Sequence, residues 1–237
     1  MRGIEYVQLM ASLPALGPML AAKAAPINRV RLRGRLRDML RPEHFTEIEA
    51  AAGLVDWSRE PLLTTDADFV RNARKVIAVL RSETLRQLVH DQLEQRTVVA
   101  ALRRRHSGRD APGAREIWGY GRYVDRIRAN WRVPDFGLGQ SLNWLSTARD
   151  RVEKEDAPGL ERFLLEAIWR RADRMTGAHH FDFEAVALYA IRWDVLDRWT
   201  RYDAEAAATR FGELVAAALS AAPATLKTVA DFMEAAA

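Results

Sequence analysis

The sequence predicts an all-α protein of about nine or ten helices, on three observations. Apolar residues recur at three- and four-residue spacings along most of the 237 residues. Prolines and glycines fall mainly between those periodic stretches, where they end helices. No two alternating runs are joined by an Asn-Gly or Asp-Gly turn, so the hairpin signature is missing. With 49% hydrophobic and 29% charged residues, the chain is ordinary for a globular protein. It is long enough to bury a core without disulfides or metals.

Taken in order, residues 4–10 alternate loosely and are expected to be extended, and Leu13-Pro14 keeps the chain out of helix. Leu32, Leu36, Met39 and Leu40 mark one face of a first helix. Pro42 suits a first helical position, and Phe45, Ile48, Ala52 and Val55 continue a second helix to a break at Ser58–Leu63. Thr65 is placed to cap a third, with Asp68 three residues on. Its buried face would be Phe69, Ala73, Val76, Ile77 and Leu80. A long fourth helix runs from Ser82 to His106 on Leu85, Leu88, Val89, Leu93, Val98, Ala101 and Leu102.

Ser107–Arg115 is a loop, then Glu116–Trp131 is a helix softened by Gly119 and Gly121, and Val133–Gly139 is a second loop. Further helices are expected at Gln140–Glu155, Pro158–Thr176, Phe183–Tyr202, Ala204–Ala221 and Ala224–Ala235, with Asp203 an N-cap. The chain reads as a single all-α domain, with lobe boundaries near 107–115 and 177–182.

Several chemistries lack their residues. Without cysteine there is no thiolate site and no cysteine nucleophile. Gly137-Leu138-Gly139 lacks the rest of a phosphate loop, and Gly-x-Ser-x-Gly does not occur. No cofactor and no catalytic centre is expected. No run of eighteen apolar residues occurs, so no transmembrane helix is expected. The first 25 residues imitate a secretory leader, but Glu5, Gln8, Pro14, Gly17 and Pro18 interrupt it and argue against one.

Three polar constellations stand out. His179, His180, Asp182 and Glu184 could hold a metal or serve a metal enzyme. Their spacing fits better a helix connection whose acids face the positive end of the next helix. The run Arg103-Arg104-Arg105-His106 closes a long helix, where it complements the dipole or could grip an acidic surface. Tyr189, Trp193, Trp199 and Tyr202 interleave with Arg192, Asp194, Asp197 and Arg198. Some of that charge must be paired at a packing boundary or an interface.

Of 36 basic residues only Lys23, Lys75, Lys154 and Lys227 are lysine; the rest are arginine. With a pI near 9.7 this suits an acidic partner, though 32 acidic residues hold the net charge to +4. An arginine-rich helical nucleic-acid-binding protein is the alternative reading. The dispersed acids count against nucleic acid as the partner.

Four segments together resemble a bacterial family whose genes lie among those of V/A-type ATPases. They are Ala11–Leu16; Ile27-Asn28-Arg29 with Leu32 to Leu40; Glu94–His106; and Phe183–Tyr189 with Trp193-Asp194 and Arg198-Trp199. That family is similar to the central-stalk C (or d) subunit of those ATPases. Its recurring element is an acid, Asn three positions on, an apolar residue and a later Arg. Glu94, Thr97, Val98 and Arg103 occupy the pattern, and Asp194 and Asp197 echo it. Thr97 and Asp197 replace the Asn, and Trp199 stands where the late Arg belongs.

The resemblance implies three-helix lobes in a funnel arrangement and a non-catalytic role, coupling the central stalk to the membrane rotor ring. Stalk and ring subunits of a proton- or sodium-translocating ATPase would be its partners. Its location would be cytoplasmic and peripheral at the inner membrane. The residues expected to carry that role are Glu94, Thr97, Arg103, Arg104, Arg105, Tyr189, Trp193, Asp194, Asp197 and Trp199.

Overall fold

In the computed structural model every regular element is helical among the described residues, which are 4–55 and 65–221, with side chains described through Tyr202. Nine α-helices and one short 3₁₀ turn, Met19–Ala21, follow one another. They are α1 (Ile4–Ser12), α2 (Arg29–Met39), α3 (Pro42–Val55), α4 (Asp66–Val79), α5 (Glu83–His106), α6 (Val124–Ala129), α7 (Leu145–Glu153), α8 (Ala157–Thr176) and α9 (Phe183–Ala221).

Side-chain caps fix several starts. Asn28 accepts from the Arg31 N–H, Thr65 from Asp68, Ser82 from Leu85 and Asp156 from Gly159. Asp182 does the same for α9 through the Ala185 N–H, at 2.8 Å. The start of α5 is also held from outside. Glu47, buried on α3, accepts the Arg81 and Ser82 N–H groups at 2.6 Å each, which sets a negative charge at the positive helix end.

Four sequence expectations change. Residues 4–10 are helical, not extended, because Tyr6 and Leu9 lie three apart and are both buried, with Tyr6 bonded to His44 on α3 at 2.8 Å. Within Glu116–Trp131 only Val124–Ala129 is helical. Gly121 adopts φ +94°, and the preceding segment runs against α5 instead of coiling. The helix expected from Gln140 starts at Leu145. No helix begins at Asp203, because one helix of 39 residues runs through it. No Pro or Gly lies between Phe183 and Thr209, and a single Asp costs a helix too little to stop it. The break at Ser58–Leu63 and the helix at Ala224–Ala235 lie outside the described residues.

Residues 183–200 of α9 are buried or half-buried at every position, so this stretch is a central helix with neighbours all round. It packs on α8, α3, α1 and α5. The core divides in two. The larger cluster gathers α1–α4, the first part of α5, the second part of α8, and α9. The smaller joins Val98–Leu102 of α5 to Trp118, Ile127, Phe136, α7 and the start of α8. The seam between them crosses α5 between Leu93 and Val98, the loop between Trp118 and Tyr120, and α8 between Leu164 and Leu165.

Candidate functional site: two helix-borne clamps

At the seam, α5 grips the segment that follows its own loop. Thr97 is buried, and its hydroxyl oxygen accepts the Tyr120 N–H at 2.8 Å. Its single proton has the Leu93 and Tyr120 carbonyls to choose from, both 2.9 Å away. One turn earlier, Glu94 accepts the Arg122 N–H at 3.1 Å and pairs with the Arg122 guanidinium at 3.3 Å. That carboxylate raises the Arg122 pKa. The Tyr120 hydroxyl reaches His90 Nδ1 at 2.7 Å, and burial, then the Glu94 charge, push the phenol up.

Glycine is required for this approach. A Cβ on Gly119 would stand 2.5 Å from Thr97 Cγ2, and one on Gly121 would run into the Glu94 side chain. These glycines, expected from the sequence only to weaken a helix, are what let the irregular passage touch α5.

The second clamp sits on α9. Trp193 is fully buried and donates its ring N–H to the Ile27 carbonyl at 3.0 Å. Asp194, also buried, takes Arg33 at 2.6 Å and lies 3.6 Å from Arg29. Arg29 bonds Asp197 at 2.9 Å and lies over the Trp193 ring at 5.5 Å. Arg33 is shared with Glu49 of α3 at 2.6 Å. One turn before Trp193, Tyr189 donates its hydroxyl to the Pro14 carbonyl at 2.7 Å, and burial lifts its pKa to about 12.

The segments around Ala11–Leu16 and Ile27–Leu40 thus meet the Tyr189–Trp199 face of α9. The charge whose partners the sequence left open is paired internally: Arg192 with Asp173 at 2.9 Å and above Trp169, Arg198 with Glu161 at 2.6 Å. Trp199 is buried beside Tyr202. Arg29 and Arg33 were missed as site residues; two buried acids one turn apart on a Trp-rich helix were the signal that such partners had to exist.

Two of the four residues in the basic run at the end of α5 are turned onto the protein. Arg104 holds Glu116 through both carboxylate oxygens, which lowers the Glu116 pKa. Arg105 donates to the Val133 and Pro134 carbonyls at 2.7 and 2.6 Å and covers the Phe136 ring at 4.2 Å. Burial lowers its own pKa. Arg103 is exposed, as is His106.

His179, Asp182 and Glu184 do come together, with one donor atom from each within 4.8 Å of the others. His180 is exposed and outside the group. Two of the three already have partners: His179 Nδ1 contacts Asp182 at 2.8 Å and Nε2 contacts the Thr84 hydroxyl at 3.1 Å. Asp182 uses its other oxygen as the α9 cap. A metal there would have to displace the contact of His179 with Asp182 or with Thr84.

Fold and site define an all-α protein in which two helices each use an acid and the residue three positions on to fasten a distant stretch of chain. A family model described as "Protein of unknown function (DUF2764)" matches residues 68–220, and the chain belongs to that family. The matched span holds all of the first clamp and the α9 half of the second, but not Arg29 or Arg33. No curated protein and no solved structure matches the chain.

Proposed function

We propose that the protein is a non-catalytic component of a V/A-type proton- or sodium-translocating ATPase. In this reading it resembles the central-stalk C (or d) subunit and couples the central stalk to the membrane rotor ring. The observation that carries this reading is the repeated clamp. Glu94 and Thr97 fasten the 120–122 segment to α5; Asp194 and Asp197, with Trp193, fasten residues 27–33 to α9. Both use the acid and the third-position residue on which the resemblance rests, while Arg103 stays outside the first clamp, and this supports the reading. Both fasten distant stretches of chain, and such rigidity supports a part that transmits torque.

The partners would be stalk and ring subunits, and the chain would reach the membrane through the ring. No described helix is long and apolar enough to cross a membrane by itself. The test is purification of a tagged chain from its native host. Stalk or ring subunits should co-purify in stoichiometric amounts, and their absence from membranes that contain the assembled ATPase would overturn the reading. Retention of nucleic acid that falls steeply with salt would favour the arginine-rich nucleic-acid-binding reading instead.

A further inference from the structure

Charge is spread unevenly along the chain. Residues 103–132 hold nine arginines and three acids, a net of +6, while the whole chain carries only +4. The remaining residues are therefore net acidic, at −2. Residues 23–41 are equally basic in sequence, but there Arg29 and Arg33 face Asp194, Asp197 and Glu49, and Arg41 reaches Glu5.

The arginines of 103–132 form two sets. Four are engaged internally: Arg104 with Glu116, Arg122 with Glu94, Arg128 with Asp125, and Arg105 with the Val133 and Pro134 carbonyls. Arg104 Nε also holds the Asp110 carbonyl at 3.0 Å, and Arg128 reaches the Glu116 carbonyl at 3.4 Å. These bonds draw the end of α5, the loop after it and α6 together at one end of the smaller core. The other five, Arg103, Arg109, Arg115, Arg126 and Arg132, are exposed and in no ion pair among the described residues. Each lies one or two positions from a residue that this network fastens, so the five crowd the same end. Of the three acids, Glu116 and Asp125 are paired and only Asp110 is left; nearby, Glu155 lies 3.5 Å from His106. Like charges gathered in this way repel one another and add nothing to the core, which is the pattern of a surface kept for a partner.

We propose that this arginine-clad end docks on an acidic protein surface, one that presents several Asp and Glu side chains. Each free guanidinium offers a planar fork that matches a carboxylate. Ile117 and Val133, each 40% exposed, stand next to the network at Glu116 and Arg132 and add apolar contact. Arginine with apolar side chains is the make-up of protein interfaces. Nucleic acid fits less well. The five guanidiniums stand on the end of α5, the loop and α6, not along one helix that could enter a groove. The tryptophans and tyrosines of 103–132 are buried or half-buried, so none is presented for stacking on bases. This assignment fixes which face meets a partner and the charge of that partner, and it stands without the ATPase reading.

Fluorescence anisotropy of the full chain with a labelled oligoglutamate peptide tests this, with a labelled oligothymidylate of equal charge as the second probe. The wild-type chain should bind the peptide, more weakly as salt rises, and at least as tightly as the oligothymidylate. Replacing Arg103, Arg109, Arg115, Arg126 and Arg132 with glutamine should weaken peptide binding roughly tenfold or more. Replacing Lys23, Arg31, Lys75, Arg162 and Arg174 with glutamine gives a chain of the same net charge. Those five are exposed elsewhere and in no ion pair among the described residues, and their loss should change binding by less than about threefold. The double variant Arg109→Gln, Arg115→Gln lies in the loop, leaves every helix untouched and should show part of the loss. No binding of the peptide even at low salt, or equal losses in the two fivefold variants, would overturn the proposal. Tighter binding of oligothymidylate than of the peptide would also overturn it, in favour of nucleic acid.

Discussion

Replacing Thr97 with valine keeps the shape of the side chain and removes one hydroxyl. That hydroxyl oxygen is the partner of the buried Tyr120 N–H at 2.8 Å, and its proton serves a carbonyl at 2.9 Å. Nothing else changes: the methyl that packs beside Gly119 remains. The loss is therefore a stranded backbone donor in a site closed to water. Stranding a buried polar group costs about 1–3 kcal/mol, against about 1 kcal/mol for an ordinary hydrogen bond removed with both partners. About 2 kcal/mol is expected, a fall of roughly 4–8 °C in melting temperature for a chain of this size. Urea unfolding read by tryptophan fluorescence gives the free energy directly, since buried Trp118 lies two residues from the clamp. Thr97→Ser, which keeps the hydroxyl and loses the methyl, should cost less than the valine change. A valine variant within about 0.5 kcal/mol of wild type, or a serine variant that is the worse of the two, would refute the hydroxyl's role.

Gly121→Ala should cost about 2 kcal/mol by denaturant melts, because φ +94° strains any side chain and the new Cβ meets Glu94. Gly108→Ala, also at positive φ but with open space around it, should cost less. Asp194→Ala should destabilise by about 1–3 kcal/mol, since it removes one of the two carboxylates that hold Arg33, whose side chain is 11% exposed, and leaves Glu49 as the other. Recovery of part of that loss in the Arg33→Met, Asp194→Leu double variant is the matching check. Stability should fall as pH rises from 10 towards about 12, the window in which an unfolded Tyr189 has ionised and the folded one, held at about 12, has not. Absorbance of tyrosinate followed alongside circular dichroism reads both events, and tyrosine ionisation complete near pH 10 without unfolding would contradict it.

The helices were legible where caps and period agreed. Asn28 apart, the starts at Pro42, Thr65 and Ser82 could be read directly: Pro42 from its own fixed φ, Thr65 and Ser82 because each caps the N–H three positions on. The all-α class rests on such local signals, and the described residues carry it. Gly119 and Gly121 were not legible, because their meaning depends on α5, more than twenty residues back: in isolation a glycine lowers helix propensity, whereas here it admits a hydroxyl and a carboxylate to the backbone. The α9 clamp was half legible. Unmatched charge beside buried tryptophans announced a partner, but Arg29 and Asp197 are 168 positions apart, and no local rule joins them. Arg104 and Arg105 show the reverse error, since a basic run looks like a free surface until Glu116 and the 133–134 carbonyls are placed beside it.

The position of the seam changes what a lobe can mean in this chain. Loops at 107–115 and 177–182 invite a division there, yet the two cores meet inside α5 and α8, which cross without a break. Moving one core against the other therefore requires bending two helices at once, at the cost of their backbone hydrogen bonds. The first clamp adds a third crossing, because the passage from Trp118 to Tyr120 is pinned to α5 where it changes core. Three fastened crossings make this junction a joint that resists rotation. A hinge would show the opposite pattern: a single connection, glycines in open space and no buried polar contacts. The stiffness of the junction is thus concentrated where the chain passes between cores, and it is supplied by a threonine hydroxyl and two glycines more than by the arginines that dominate the composition.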